Sequence, residues 1–225
     1  MTWSSTARPS VWAALRRPGR DFGRAQRLSA AASDAPRAVV GAGGTAAVIY
    51  SAQHVPLRAS DGLQLHRATT GAAFGPAEHV NPGGGVTIGD VAIAPDGALT
   101  VAWLDRVHGP RVHVSEARAA GPLAATAELG ANVSPRTLAV DIDEGGRAVI
   151  AWSERAGRGE RATAAIRPAT GAAFGPPTPL GRPWRAAEPR LARLVPTGGA
   201  LVLWKGDRYT GPTAHRTALA VARLP

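Results

Sequence analysis

Apolar residues in this chain fall into short runs of strand length with no helical stripe. The runs Ala46 to Tyr50, Leu99 to Trp103, Ala148 to Trp152 and Ala200 to Trp204 each end on an aromatic residue. Tyr50, Trp103, Trp152 and Trp204 are spaced by 53, 49 and 52 residues, and Trp3 precedes Tyr50 by 47. A glycine turn stands before each of the four: Gly43-Gly44, Asp96-Gly97, Gly145-Gly146 and Gly198-Gly199. Glycine reaches the positive φ angles of a tight hairpin without steric cost, so such a pair between apolar runs predicts a turn joining two strands. Upstream of three of these turns, Pro36-Arg37, Pro135-Arg136 and Pro189-Arg190 open an alternating apolar run. Proline is tolerated at a strand's start, where no ladder donor is needed. The run after Pro-Arg is strand A, and the run ending in the aromatic is strand B.

A third run, strand C, covers Val11 to Arg16, Leu63 to Arg67, Arg111 to Arg118, Ala162 to Arg167 and Thr217 to Arg223, ending each time on arginine. Strand D opens with Phe22-Gly23, Phe74-Gly75, Leu123 or Phe174-Gly175. The heptapeptide Thr70 to Pro76 recurs whole as Thr170 to Pro176. Self-similarity at a fixed period marks a stacked-repeat architecture. The pattern predicts strands near Arg37–Ala42, Thr45–Tyr50, Leu63–Thr69 and Glu78–Val80, recurring about fifty residues on. It also predicts that Trp103 and Trp152 are buried at one place in each unit.

A meander of four short strands has two faces and cannot bury both alone. Stacking units radially supplies the missing partner, which is a β-propeller. The expected class is therefore all-β: a β-propeller or open propeller arc of four-stranded antiparallel blades, with four to five blade equivalents. The expected units are a partial first blade at 1–30 (strands C and D), blades at 31–82, 83–132 and 133–182, and a last blade at 183–225 without its fourth strand, all in one domain. Two closures are open. The Phe22–Leu28 strand completes the last blade, or the chain is part of a ring of about six to eight blades.

These Trp-bearing units resemble the uncharacterised propeller repeats common in extracytoplasmic proteins of GC-rich bacteria. They carry neither the Trp-Asp signature, nor the kelch arrangement, nor the Asp-box of sialidase-like propellers. The resemblance implies a fold and an extracytoplasmic place, and no activity.

Composition narrows the function classes. At 44% hydrophobic and 19% charged, the chain is globular in character. It has no cysteine, which excludes disulfides, thiolate catalysis and Cys-ligated zinc. No apolar run approaches the roughly 20 residues that span a bilayer. Met1-Thr2-Trp3-Ser4-Ser5 shows neither the basic nor the apolar region of a secretory signal. The net charge of +10 suggests nucleic acid or a membrane surface. Only Lys205 is lysine, however, and the arginines are scattered with no block longer than Arg16-Arg17. Such a bias beside heavy Ala, Gly and Pro use fits a GC-rich coding sequence, and argues against a dedicated nucleic-acid partner.

The aromatic ladder Tyr50, Trp103, Trp152 and Trp204 is read as packing between blades, ahead of a stacking platform for sugars or bases. The strand-C arginines Arg16, Arg67, Arg118 and Arg167 are read as structural repeat positions that cap or hydrogen-bond a neighbouring blade. Asp141 to Gly145 alternates oxygens ahead of a glycine, as calcium loops do, but lies where an A–B turn needs Asp and Gly. Asp105, His108, His113 and Glu116 flank the second B–C hairpin, where they would converge as an acid/base or metal pair. Tyr209 lies beside Asp207 and Arg208 in the last B–C loop, and is the one tyrosine outside the ladder. Asp105, His108, His113 and Tyr209 are thus the candidate binding residues. No catalytic residue, metal or cofactor is assigned, since no nucleophile elbow, metal-binding helix motif, phosphate loop or dinucleotide fingerprint is present. The expected function is a non-catalytic scaffold or binding module for a protein or carbohydrate partner. The alternatives are part of a sialidase-like propeller glycoside hydrolase, and a basic nucleic-acid-binding module. Upstream blades of a longer parent chain or a homo-oligomer partner are expected to cover exposed edges.

Overall fold

A computed structural model describes residues 2–4, 10–17, 19–29, 32–53, 61–81, 86–105, 110–169, 171–196, 198–209 and 215–224. Every regular element among them is a strand. The first sheet holds β1 (Thr2–Ser4), β2 (Val11–Ala13) and β3 (Gln26–Arg27). The second holds β4 (Ala32–Val40), β5 (Ala46–Gln53), β6 (Gly62–Ala68) and β7 (Glu78–His79). The third holds β8 (Val86–Ile93), β9 (Leu99–Asp105), β10 (Arg111–Ala117) and β11 (Ala127–Gly130). The fourth holds β12 (Val133–Ile142), β13 (Ala148–Ala156), β14 (Gly159–Arg167) and β15 (Thr178–Trp184). The fifth holds β16 (Ala186–Leu194), β17 (Ala200–Tyr209) and β18 (His215–Leu224). Each sheet is an antiparallel meander in chain order; from the second sheet on, strand A of one sheet lies beside strand A of the next, and β1 of the first sheet lies beside β4. This is an open propeller arc.

The turns form where glycine permits them. Gly44, Gly97, Gly146, Gly198 and Gly199 have φ between +72° and +89°, and each closes an A–B hairpin. Strand D differs from the sequence reading. Its ladder begins three residues after the glycine of the Phe-Gly pair, and the pair itself lies in the C–D connection. There the glycine N–H is fixed first: Gly23 donates to the Leu15 carbonyl, Gly75 to Arg67 and Gly175 to Ile166, at 2.8–2.9 Å. Proline twice follows this glycine, and a residue without an N–H cannot extend the ladder there.

The core lies between sheets. Ile49, Leu63 and Leu65 of the second sheet pack on Val101 and Trp103 of the third. Leu104, Val112 and Val114 of the third pack on Ile150 and Trp152 of the fourth. Val11 and Ala13 of the first meet Val48 and Tyr50 of the second, and Ala162 and Ala164 of the fourth meet Val202 and Trp204 of the fifth. The ladder aromatics are 1–4% exposed. Burying each is favourable by about 2–3 kcal/mol, and the repeated position lets one solution serve four junctions.

The closure through Phe22–Leu28 is not made. β3 pairs with β2, and β18 pairs with β17 alone among the described residues. The Gly23 N–H, bonded to the Leu15 carbonyl, ties that segment to its own strand C.

Candidate functional site

The candidate residues at the B–C ends come together only in part. Asp105 ends β9 and His113 lies in β10, with His113 Nε2 3.9 Å from Asp105 Oδ2. The imidazole stacks on the Trp103 indole at 5.6 Å between centroids, its direct cross-strand neighbour. Both polar groups are mostly covered, so the pair resembles the buried Tyr50–His66 stack of the second sheet more than an open acid/base site. Glu116 does not join them. It lies further along β10 and pairs with Arg167 of the fourth sheet. His108 lies outside the described residues. Tyr209 ends β17 opposite His215, and its side chain is outside the described set.

The carboxylates between the sheets hold backbone amides or arginines. Asp90 in β8 accepts the Val140 N–H of β12 at 3.1 Å, besides Val91 N–H at 3.0 Å. Asp141 in β12 accepts the Leu194 N–H of β16 at 2.8 Å. Glu160 in β14 accepts the Ala187 N–H of β16 at 3.2 Å and the Ser134 hydroxyl at 2.5 Å. Strand A is the edge of its sheet, so its outward N–H groups have no ladder partner. A carboxylate of the preceding sheet supplies one. Burial pushes the Asp90 carboxyl up to about 6, against the opposing pull of the two N–H groups and Arg37. Asp143 is taken by Arg147, through the backbone N–H at 2.9 Å and Nε at 2.7 Å, and Arg147 also donates to the Val195 carbonyl of the fifth sheet at 2.9 Å, so the acidic A–B turn is an Asp–Arg turn braced on the next sheet.

The arginines serve the same junctions. Arg67 makes a two-nitrogen contact with Glu78 at 2.6 and 2.7 Å, and reaches the Gly121 carbonyl of the third sheet at 2.9 Å. Arg17 reaches the Gly71 carbonyl of the second sheet at 2.6 Å in the equivalent bond. Arg16, the expected repeat position, instead turns back to the Arg20 carbonyl at 2.9 Å. Counted from the bond of the connection glycine to strand C, Arg67 corresponds to Leu15, so the first sheet makes its bridge from an arginine two residues later. Arg118 is exposed. Arg167 is 2% exposed, and burial lowers its pKa. It is held by Glu116, by the Gly146 carbonyl and by the Phe174 ring, 5.6 Å away.

An open groove of about 1050 Å³ lies between the first two sheets at their A–B and C–D turns. Arg16, Arg17, Arg20 and Arg24 line it against one carboxylate, Asp21. Phe22 stands among them, 49% exposed. Sequence reasoning missed this site, because the four arginines are spread over nine residues and only the turn gathers them.

No family model matches the chain, and no curated protein does. Solved structures of similar fold exist. The intramolecular trans-sialidase of Ruminococcus gnavus, in complex with oseltamivir carboxylate, matches at TM-score 0.55 and 11% identity, over 96% of this chain and 50% of that one. The sialidase NanB of Streptococcus pneumoniae matches at TM-score 0.55 and 8% identity, over 96% of this chain and 36% of that one. The endo-arabinase of Bacteroides thetaiotaomicron matches at TM-score 0.50 and 10% identity, over 100% of this chain and 88% of that one. The chain thus spans half or less of the two sialidases. At these identities the likeness shows the propeller fold alone.

Proposed function

We propose that the chain is a non-catalytic binding module that holds an acidic glycan in the arginine-lined groove between its first two sheets. The observation that carries this reading is the division of labour among charges. Asp90, Asp141, Glu160 and Glu116 are occupied at sheet junctions. The groove gathers four guanidinium groups and a half-exposed phenyl ring around one carboxylate; Arg16 and Arg17 are each held there by a main-chain carbonyl, which fixes their place on the wall. Arginine forks suit carboxylate or sulfate groups, and a flat aromatic suits the apolar face of a sugar ring.

Calorimetric titration with carboxylated and sulfated oligosaccharides tests the reading. Binding should weaken at least about tenfold in the Arg20→Glu/Phe22→Ala variant and fall as salt is raised. Affinity indifferent to both changes would remove the groove from consideration. The hydrolase alternative has its support in the fold, which it shares with two sialidases and an endo-arabinase. Turnover of a fluorogenic glycoside by the purified chain, abolished by a carboxylate substitution, would replace the non-catalytic reading with that one.

A further inference from the structure

Tyr50 and His66 form a buried polar cluster where the second sheet meets the first. The Tyr50 oxygen lies 3.0 Å from the Leu28 carbonyl of the first sheet and 2.9 Å from His66 Nε2. His66 Nδ1 lies 2.8 Å from the Gly75 carbonyl. The two side chains are 3% and 5% exposed, so their polar atoms depend on one another. Leu28 follows β3, and Gly75 follows Phe74, which lines the groove between these two sheets.

Counting hydrogens separates two states of the cluster. Each of the three contacts needs one hydrogen, and the two carbonyls only accept. The phenol supplies one, since burial pushes its pKa up to about 12 and it keeps its proton. A neutral imidazole supplies one more, which leaves one contact with two acceptors face to face. An imidazolium supplies two, and all three bonds form together. The phenol then donates to Leu28 and accepts from His66 Nε2–H, with the Ser29 side chain as its further partner. Ser29 cannot make good the missing hydrogen, because it belongs to none of the three contacts.

The surroundings set the terms on which His66 takes its second proton. Across β5 it lies opposite Val48, with Tyr50 on the diagonal. β7 brings the exposed His79, whose Nδ1 is 3.0 Å from Gln64 Nε2. The first sheet brings Leu28, Ser29, Val11 and Ala13, all neutral. Its cation here is Arg17, on the Gly71 carbonyl at the start of the C–D connection. Arg67 and Glu78 pair on the other side of the second sheet. Burial and the nearby cation oppose the imidazolium, and the completed third bond favours it.

We propose that Tyr50 and His66 are a proton-operated clasp between the first two sheets, closed on Leu28 when His66 is an imidazolium and released when it is neutral. The contact that opens is the one to Leu28. Nε2 is the more basic acceptor for the phenol, and Leu28 is the one partner that stands on a separate sheet. A closed clasp holds the two walls of the groove together, whatever the groove binds.

Amide hydrogen exchange of the full chain, corrected for intrinsic rates, tests this at about pH 5 and about pH 8, which bracket the ionisation of histidines as a class. Protection of the Leu28 amide, which is bonded to Val11, should fall about fivefold at the higher pH, the worth of about one hydrogen bond. Tyr50→Phe keeps the buried ring without its hydroxyl, so protection there should be low and alike at both pH values. Nitrogen NMR of the labelled imidazoles gives a second measurement on the native chain, with His66 assigned by the signal lost in His66→Gln. Both ring nitrogens of His66 should carry hydrogen at the lower pH and Nδ1 alone at the higher. Leu28 protection that is equal at both pH values, or a fall that Tyr50→Phe shares, overturns the proposal. So does a His66 ring that keeps one charge state throughout.

Discussion

Asp90 offers the most direct test of how the sheets are joined. Its carboxyl is raised from 3.8 to about 6, with burial the largest cause. The folded pKa lies above the unfolded one, so the native state prefers the protonated acid. The stability this group contributes is therefore greatest below 3.8, falls as pH rises, and is fully lost above about 6. A shift of about two units corresponds to roughly 3 kcal/mol. Asp90→Asn removes the titration, and leaves one carbonyl oxygen to serve two N–H groups that now have an oxygen each. That loss costs about 1 kcal/mol at every pH. The native protein should thus be more stable than the variant by about 1 kcal/mol near pH 3, and less stable by about 2 kcal/mol near pH 7. Urea unfolding followed by tryptophan fluorescence at several pH values measures the difference. A difference that stays flat, within about 0.5 kcal/mol, would mean that the two amides and Arg37 compensate the burial completely. The inter-sheet carboxylate would then be neutral in cost.

Trp152→Ala removes a side chain that is 1% exposed, and should cost about 3–5 kcal/mol in chemical denaturation. Hydrogen exchange should show the loss centred on the third and fourth sheets, which share that cluster. Arg67→Ala severs the Glu78 pair and the bond to the Gly121 carbonyl, both half-buried, and should cost about 1–3 kcal/mol in thermal unfolding. Lysine at that position should recover less than half, because it cannot make the two-nitrogen contact. Gly97→Ala places a Cβ 2.9 Å from that of Ala119 at φ +85°, and should lower stability by about 1–2 kcal/mol. Gly121→Ala, with nothing closer than 3.6 Å, should be close to neutral in the same assay.

The sequence made the aromatic ladder and its glycine turns legible because both depend on local period. Strand B at Thr45–Tyr50 is found as Ala46–Gln53, but strand A, expected to open after the Pro-Arg pair at Arg37–Ala42, is Ala32–Val40. Pro36, Pro135 and Pro189 lie inside their strands at breaks in the register, where the missing N–H is tolerated. The carboxylates escaped notice for the opposite reason. Asp90 and Asp141 act on amides 50 and 53 residues away, and the partner is a backbone group, so no residue type at the far end marks the contact. The strand-C arginines were visible as a series, but their roles diverged: Arg67 bridges, Arg16 folds back, Arg118 faces solvent and Arg167 is enclosed. Asp105 and His113 were correctly placed at one hairpin. The sequence could not reveal that Trp103 stacks on the imidazole and closes the site. The groove depends on how two adjacent turns splay, which is a property of the junction and of neither turn alone.

The bonds from Arg17 to Gly71 and from Arg67 to Gly121 have a consequence for how such an array grows. The acceptor in each is a main-chain carbonyl, which every amino acid carries. A duplicated unit that lands beside its parent therefore finds its latch already present, without a compensating substitution on the receiving side. The same holds for the amides that Asp90 and Asp141 hold. The receiving side is then constrained by backbone shape, as at Gly71 with φ +78°, and not by the need for a matching side-chain acceptor. An array wired in this way lengthens by simple gene duplication and tolerates drift between its units.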